Sequence, residues 1–420
     1  MSKAPLSGIL VVDLSRHLPG PLAAHLLADL GARVVKVEEP RTGDPVRLAP
    51  PIVRTGSGGR SSLAALLLSG VASVALDLKK PAGREALERL LEGADVLLET
   101  LRPGTLERLG LPPAELRKRF PRLVVCSLSG WGQDGPRAHR AGHDLTYQAV
   151  AGALAATAAM PAYPAADVTG AWSAVAAVLA ALVERGRTGE GAWIDASLYD
   201  AALHLNLIGW AAEAPIESAS KAAVGPAAKA EGRRSRRLGE PHGLAGALPC
   251  YRLYRTADGG LLAVAPLEER FWRGFCELAG APDLRRLQYR EDEAAHRQVA
   301  EVVASRTLAE WRDLLVRADL PIEQVLTAAE AAEDPQARAR DLLRRGEDGL
   351  FRLGFPARFD GERPRAAERF PELGEDTDRV LEAIGGPAAA LSAAGRRRAG
   401  VGRRPSVKRL LSGWWLSRRS

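Results

Sequence analysis

The sequence is poor in aromatic residues and in sulfur. Phe, Tyr and Trp together make up 5% of the 420 residues, while hydrophobic residues as a whole make up 46%. We therefore expect an interior filled mainly by Ala, Leu and Val. Three cysteines are present, Cys126, Cys250 and Cys276, and their spacing fits neither a zinc motif nor a redox motif. A reducing cytoplasm is the simplest location for such a chain.

Long apolar segments are also lacking. The longest apolar runs, at residues 62–76 and 171–183, are shorter than the ~18–20 residues that a membrane span needs. The first residues lead directly into a strand-like segment, without the apolar core of a signal peptide. We expect no membrane span.

Acidic residues are missing from residues 396–420, which contain nine Arg and Lys residues. Removing these nine from the net charge of +7 leaves −2 for the rest of the chain. The basic character therefore belongs to a tail, and a nucleic-acid partner is not expected. Residues 386–420 lack the apolar periodicity of a core segment and are expected to be disordered. A marginal amphipathic helix at residues 407–416 is the less favoured alternative.

The amino-terminal part alternates short apolar runs with helical patterns. Residues 9–14 are typical of a strand buried on both faces, Pro21 begins a helix that Gly31 ends, and residues 33–37 form a second strand. This strand–helix–strand unit predicts an α/β fold with a Rossmann-like sheet. The loop after the first strand has no G-x-G-x-x-G motif, which argues against hydride transfer from a dinucleotide.

The alternation continues along the chain. Further strands are predicted at residues 71–78, 94–99 and 122–129, with a helix at 81–91, and their loops should gather at one edge of the sheet. A hairpin is predicted around residues 257–260, followed by helices at 308–318 and 335–343, a strand at 351–359 and a helix at 376–384.

Two titratable residues in the middle of the chain are candidates for chemistry. His143 follows a Gly-rich loop, and Asp167 precedes the apolar run at 171–183. An imidazole and a carboxylate are suitable acid, base or nucleophilic groups. The alternative for Asp167 is a helix N-cap, worth about 0.5–2 kcal/mol, and the alternative for His143 is a loop residue bonded to its neighbours. With a reference pKa of about 3.9, Asp167 would be ionised at neutral pH.

Many ordered motifs resemble one enzyme family. The motifs are Asp13-Leu14-Ser15-Arg16 with Gly20-Pro21, Leu27-Ala28-Asp29-Leu30-Gly31-Ala32, Val35-Lys36-Val37-Glu38 with Gly43-Asp44, Asp77-Leu78-Lys79, Asp95-Val96-Leu97, Arg102-Pro103-Gly104, Gly130-Trp131-Gly132-Gln133, Arg187-Thr188-Gly189, and Tyr254 with Ala257-Asp258-Gly259. Over residues 6–385 the sequence is similar to the family III CoA-transferases, which are grouped with the alpha-methylacyl-CoA racemases and with enzymes of carnitine and bile-acid CoA metabolism.

The resemblance implies a large Rossmann-like domain built from both chain ends, a smaller middle α+β domain, and an interlocked homodimer. The corresponding divisions are residues 1–205 for the amino-terminal part of the large domain, 206–248 for a crossing segment, 249–330 for the small domain, 331–385 for the return to the large domain, and 386–420 for the tail.

The resemblance also implies substrates and site residues. The substrates are an acyl-CoA thioester and a free carboxylic acid, and no permanently bound cofactor or metal is implied. Asp167 matches the Asp that becomes an aspartyl-CoA thioester in the transferases, and His143 matches the acid/base His of the racemases. The implied CoA contacts are His17, Leu18, Pro19, Thr100, Leu101 and Arg108, with Trp131 as the aromatic residue near the thioester.

Three functions remain open at this stage. CoA transfer through Asp167 is the first, and a 2-methylacyl-CoA racemase that uses His143 and Asp167 is the second. The third is a non-catalytic CoA-binding paralogue, because residues 67–73 replace a loop that is basic in the family. The acyl group and the acceptor acid are not specified by these motifs.

Overall fold

The computed structural model describes residues 4–55, 58–212 and 237–385. The chain forms two compact units. The first takes its residues from Met1–Gln148, Tyr163–His204 and Pro335–Ser420, and the second from Ala149–Ala162 and Leu205–Asp334. Most of the predicted crossing at 206–248, namely residues 213–236, lies outside the described residues, as does the whole tail at 386–420.

The strands of the described residues, in chain order, are β1 (Leu10–Asp13), β2 (Arg33–Glu38), β3 (Ile52–Thr55), β4 (Gly58–Ser61), β5 (Ala72–Ala75), β6 (Val96–Glu99), β7 (Val124–Ser129), β8 (Trp193–Ser197), β9 (Arg252–Arg255), β10 (Leu261–Val264), β11 (Ile322–Gln324), β12 (Leu343–Arg345) and β13 (Phe351–Leu353).

The α-helices are α1 (Pro19–Asp29), α2 (Ser62–Leu68), α3 (Pro81–Leu91), α4 (Thr105–Arg108), α5 (Pro113–Arg119), α6 (Asp144–Val150), α7 (Ala165–Thr188), α8 (Leu198–Leu205), α9 (Leu207–Ala212), α10 (Glu269–Leu278), α11 (Glu293–Val303), α12 (Leu308–Leu315), α13 (Ala328–Glu333), α14 (Pro335–Arg340) and α15 (Thr377–Ala383). Short 3-10 helices cover Pro45–Leu48, Gly243–Ala245 and Pro282–Leu287.

The first unit is built on a parallel sheet with the strand order β5-β2-β1-β6-β7-β8. Every residue of β1, β2, β6 and β7 is buried, as expected for strands covered on both faces. The predicted α/β fold with a parallel sheet is confirmed. The strand order reverses direction between β1 and β6. At such a point, open α/β sheets bind ligands beside the carboxyl ends of the strands.

The second unit contains an antiparallel sheet with the order β11-β10-β9. The predicted hairpin is confirmed, because β9 and β10 are paired around residues 256–260. Trp272, Phe275 and Trp311 lie fully buried beside this sheet. Ala, Leu and Val still make up most of the buried cluster, as predicted, and the three aromatic side chains add to it. A small unit has few buried positions, and aromatic side chains bury about 150–250 Å² each.

Helix α7 has 24 residues and a mean hydropathy of 1.7 over its most apolar window. By length and composition it is the one helix among the described residues that could cross a membrane. It is longer than the apolar run at 171–183 because residues 165–170 and 184–188 continue it. A third of that window is buried in the structure, where the helix packs against α1, β7 and β8. Core helices of soluble proteins also meet this criterion.

Candidate active site

A cavity of about 300 Å³ opens at the carboxyl edge of the parallel sheet. Its walls come from the loop after β1, the loop after β6, the loop that leads from β7 to α6, and the first turn of α7. The loops after β1 and β6 flank the point where the strand order reverses. The cavity therefore lies where a doubly wound sheet places its ligand.

Most of the site residues predicted from sequence meet at this cavity. It is lined by His17, Pro19, Thr100, Leu101, Trp131, His143 and Asp167. Leu18 and Arg108, both in the described part of the chain, do not line it. Arg108 is exposed, and its guanidinium donates a hydrogen bond of 2.6 Å to the Thr105 hydroxyl on the same helix.

The loop after β1 is anchored by a buried ammonium group. Lys36 donates to the Ser15 carbonyl at 2.8 Å and pairs with Asp44 at 2.9 Å and Asp13 at 3.2 Å. All three charged side chains are at most 1% exposed. The other oxygen of Asp44 accepts the backbone N–H of His17 at 3.1 Å. His17 has a φ of 71°, a conformation that costs energy for a residue other than glycine, and this bond helps to hold it.

The loops after β1 and β6 are joined directly. The backbone N–H of Arg16 donates to the Thr100 hydroxyl at 2.9 Å. A Cβ atom at Gly20 would lie 2.1 Å from Ser15 Cβ and 2.7 Å from Thr100 Cγ2, so this close approach requires glycine. Two loops that are distant in sequence therefore form one wall of the cavity.

Asp167 lies in the first turn of α7 and is not its N-cap. The N-cap is Pro164, and no side chain caps the helix. Within the described residues, the Asp167 carboxylate accepts no hydrogen bond and forms no ion pair. Burial, and secondly the negative charge of Asp144, raise the pKa of Asp167 to about 7. The N-cap alternative is wrong, and so is the expectation of a carboxyl group fully ionised at neutral pH.

Asp144 is fixed beside Asp167 by hydrogen bonds. One of its oxygens accepts the backbone N–H of Asp167 at 3.0 Å, and the other accepts from the Gln148 amide at 2.6 Å. The Asp144 charge is thereby held close to the first turn of α7 and disfavours ionisation of Asp167.

His143 immediately precedes α6, and its backbone is fixed by Thr146. The N–H of His143 donates to the Thr146 hydroxyl at 3.0 Å, and that hydroxyl donates to the His143 carbonyl at 2.7 Å. The imidazole lines the cavity and makes no hydrogen bond within the described part of the chain. The His143 imidazole therefore shares one cavity with the Asp167 carboxyl group, whose pKa is raised.

The structure adds Tyr147 to the site, a residue that the sequence motifs did not single out. Its ring packs edge-on against Trp131, with centroids 4.9 Å apart and an interplanar angle of 80°. Tyr147 is 5% exposed and lines the cavity. A signal was present in the sequence, since Tyr147 follows His143 by four positions, the spacing of one helical face.

Three arginines also line the cavity, namely Arg16, Arg102 and Arg140. Within residues 4–55, 58–212 and 237–385, none of their guanidinium groups forms an ion pair with a carboxylate. Guanidinium groups are suited to phosphate and carboxylate oxygens. Unpaired cations around a cavity with one carboxyl group favour an anionic ligand.

Fold and cavity together define an α/β protein in which arginines surround a carboxyl group at the carboxyl edge of a parallel sheet. Residues 6–377 match CoA-transferase family III, and the chain belongs to this family. It is 34% identical to the succinate–glutarate CoA-transferase of Agrobacterium fabrum, covering 90% of this chain and 95% of that protein. It is 31% identical to the human alpha-methylacyl-CoA racemase, covering 90% of this chain and 93% of that protein. A crystal structure of a CAIB/BAIF family protein from Brucella suis, 25% identical, superposes with a TM-score of 0.76 over 91% of this chain and all of that one.

Proposed function

We propose that this protein transfers CoA between an acyl-CoA thioester and a free carboxylic acid, with Asp167 as the group that carries CoA. The observation that supports this most is the Asp167 carboxyl group, which lines the cavity without a capping bond or an ion pair. Its lone pairs are therefore not engaged by the protein. A carboxylate in that state is a competent nucleophile toward a thioester.

The steps follow from the chemistry of the two groups. An Asp167 oxygen attacks the thioester carbonyl carbon, the C–S bond breaks, and CoA leaves as a thiolate. The product on the protein is a mixed anhydride between Asp167 and the acyl group. The thiolate then attacks the Asp167 carbonyl carbon of that anhydride, which releases the donor acid and forms an aspartyl-CoA thioester. The acceptor carboxylate repeats these steps in reverse order. One carbonyl group stays activated throughout, as a thioester or as an anhydride, so no external energy source is needed.

The remaining site residues are assigned to binding. His17, Leu18, Pro19, Thr100 and Leu101 would contact CoA from the two joined loops, with Arg108 on a phosphate and Trp131 beside the thioester. Arg16, Arg102 and Arg140 add positive charge for the phosphates or for the acid. The succinate–glutarate enzyme among the relatives shows that this family includes transferases acting on small acids.

A 2-methylacyl-CoA racemase is the second candidate, because the imidazole of His143 and the carboxyl of Asp167 line the same cavity. A pKa of about 7 also suits a group that has to both accept and release a proton. The human racemase is as similar to this chain as several transferases are.

Two substitutions separate these functions. For the transferase, Asp167→Asn abolishes CoA exchange between acids, while His143→Ala changes the rate by less than about tenfold, since a carboxylate nucleophile needs no base. For the racemase, either substitution removes activity, because general acid–base catalysis contributes about 10²–10⁴-fold. Loss of CoA exchange in His143→Ala to the same extent as in Asp167→Asn would argue against the proposal. Binding of CoA without either reaction would identify the non-catalytic paralogue.

A further inference from the structure

Tyr147 is a buried tyrosine in the wall of the Asp167 cavity. The residue is 5% exposed, and its hydroxyl makes no hydrogen bond within the described residues. The oxygen is not among the fully enclosed side-chain atoms of the described residues, so a ligand in the cavity can reach it. Because the side chain lines the Asp167 cavity, a bound substrate can supply the missing acceptor.

The ring of Tyr147 is held in one place from several sides. A Cβ at Gly130 would lie 2.2 Å from the Tyr147 hydroxyl oxygen, and a Cβ at Gly142 would lie 2.6 Å from its Cε1. The edge-on contact with Trp131 fixes the plane of the ring. The hydroxyl is therefore preorganised, and donors of this kind stabilise charge without reorganising during the reaction.

The proton of Tyr147 stays on the oxygen at any pH at which the site would work. Burial, and next the charge of Asp167, raise the pKa of Tyr147 to about 12. Tyr147 and Asp167 line the same cavity. Tyr147 is thus a neutral hydrogen-bond donor in the cavity that holds the proposed nucleophile.

We propose that the Tyr147 hydroxyl donates a hydrogen bond to the carbonyl oxygen of the bound thioester and stabilises the negative charge that develops on that oxygen. This inference rests on the proposed function for its substrate, an acyl-CoA thioester. It applies to either reaction of that substrate: in CoA transfer the oxygen carries the charge of the tetrahedral adduct with Asp167, and in racemisation it carries the charge of the enolate.

The test compares Tyr147→Phe with Tyr199→Phe. Tyr199 is the matched control, because its ring also packs on Trp131, at 5.5 Å, but does not line the cavity. Tyr147→Phe should lower kcat by about 10²–10³-fold, the effect of removing one oxyanion donor, with little change in the affinity for a non-reactive thioether analogue of acyl-CoA. Tyr199→Phe should stay within about threefold of the native rate. A Tyr147→Phe enzyme with native kcat would overturn the proposal. An unchanged maximal rate together with a shifted midpoint of the pH–rate profile would also overturn it, because Tyr147 would then act only on the ionisation of Asp167.

A second measurement does not depend on turnover. An acyl-CoA labelled with carbon-13 at the thioester carbonyl is bound to Asp167→Asn, and its C=O stretch is recorded by infrared difference spectroscopy. A hydrogen bond from Tyr147 lowers this frequency, and adding Tyr147→Phe should restore it. An identical frequency in the two proteins contradicts the inference even when CoA transfer is observed. Conversely, a lowered frequency in a protein that shows no CoA transfer supports the hydrogen bond and rejects the proposed function.

Discussion

At the scale of single residues, the ionisation of Asp167 controls the proposed nucleophile. Only the carboxylate attacks a thioester, and burial together with Asp144 places the pKa of Asp167 at about 7. The rate of adduct formation should therefore fall about tenfold per pH unit below pH 7 and level off above pH 8. Stopped-flow kinetics with an acyl-CoA over pH 5–9 measures this profile. A rate that is constant down to pH 5 would be incompatible with this pKa.

The control for this profile is Glu99, a second carboxyl group of raised pKa. Burial raises the pKa of Glu99 to about 7, although Ser127 and the N–H of Leu101 donate hydrogen bonds to it. Glu99 does not line the cavity, whereas Leu101 does. Glu99→Gln should therefore leave the midpoint of the pH profile near 7. A midpoint that disappears in Glu99→Gln would assign the titration to this residue.

The raised pKa of Asp167 also predicts a pH-dependent effect on stability. A carboxyl group with a higher pKa in the folded state binds its proton more tightly there than in the unfolded chain. Its favourable contribution is present at low pH and is lost as the pH rises through about 7. Asp167→Asn should thus raise the free energy of unfolding by roughly 1–3 kcal/mol at pH 8, and by less at pH 5, allowing for partial exposure. Urea unfolding at both pH values measures the difference, and an equal effect at both would contradict the assignment.

At the scale of elements, the loop after β1 depends on Lys36 at the neighbouring strand. Lys36→Met would leave Asp13 and Asp44 buried without their cation, at a cost of about 3–5 kcal/mol. Lys80→Met is a matched control, since Lys80 pairs with Asp77 at 3.8 Å on the exposed surface and should contribute at most about 1 kcal/mol. Chemical denaturation would measure both variants. Similar losses for the two would mean that the buried network does not anchor the loop.

Local sequence patterns predicted the elements that bury an apolar run or an apolar helix face. The helix at 81–91 has the predicted limits, because Pro81 begins it and its apolar residues recur at helical spacing. The hairpin of β3 and β4 was not predicted, since Ile52 and Val53 are exposed and show no alternation of buried and exposed residues. The strand predicted at 351–359 is confined to Phe351–Leu353. Elements whose residues stay at the surface lack the hydrophobic periodicity from which strands and helices are predicted.

The candidate site was predictable in part. The loops after β1 and β6 could be placed together because parallel strands end at the same edge of a sheet. The spacing from His143 was the signal for Tyr147 in the sequence, but it gave no role, because the position of the ring depends on how the loop between β7 and α6 brings Gly130, Gly142 and Trp131 against it. The pKa of Asp167 was also beyond the sequence, since it depends on burial and on where Asp144 is held.

At the scale of the whole molecule, the family resemblance predicts a homodimer. Several large apolar side chains of the second unit are exposed in the single chain, among them Leu207, Trp210 and Leu253, each more than half exposed. Exposed apolar residues of this size are typical of protein interfaces. Sedimentation equilibrium at micromolar concentration should give twice the chain mass of 44.7 kDa. A mass of one chain at that concentration would contradict the expected dimer.

The central claim is that CoA is carried on Asp167. The protein is incubated with an acyl-CoA in heavy water, trapped with hydroxylamine or borohydride, and digested for mass spectrometry, while the recovered acyl-CoA is analysed for deuterium. The account predicts modification of the Asp167 peptide alone, no modification in Asp167→Asn, and no deuterium at the 2-position of the acyl group. Deuterium at the 2-position with an unmodified Asp167 would contradict it and identify a racemase.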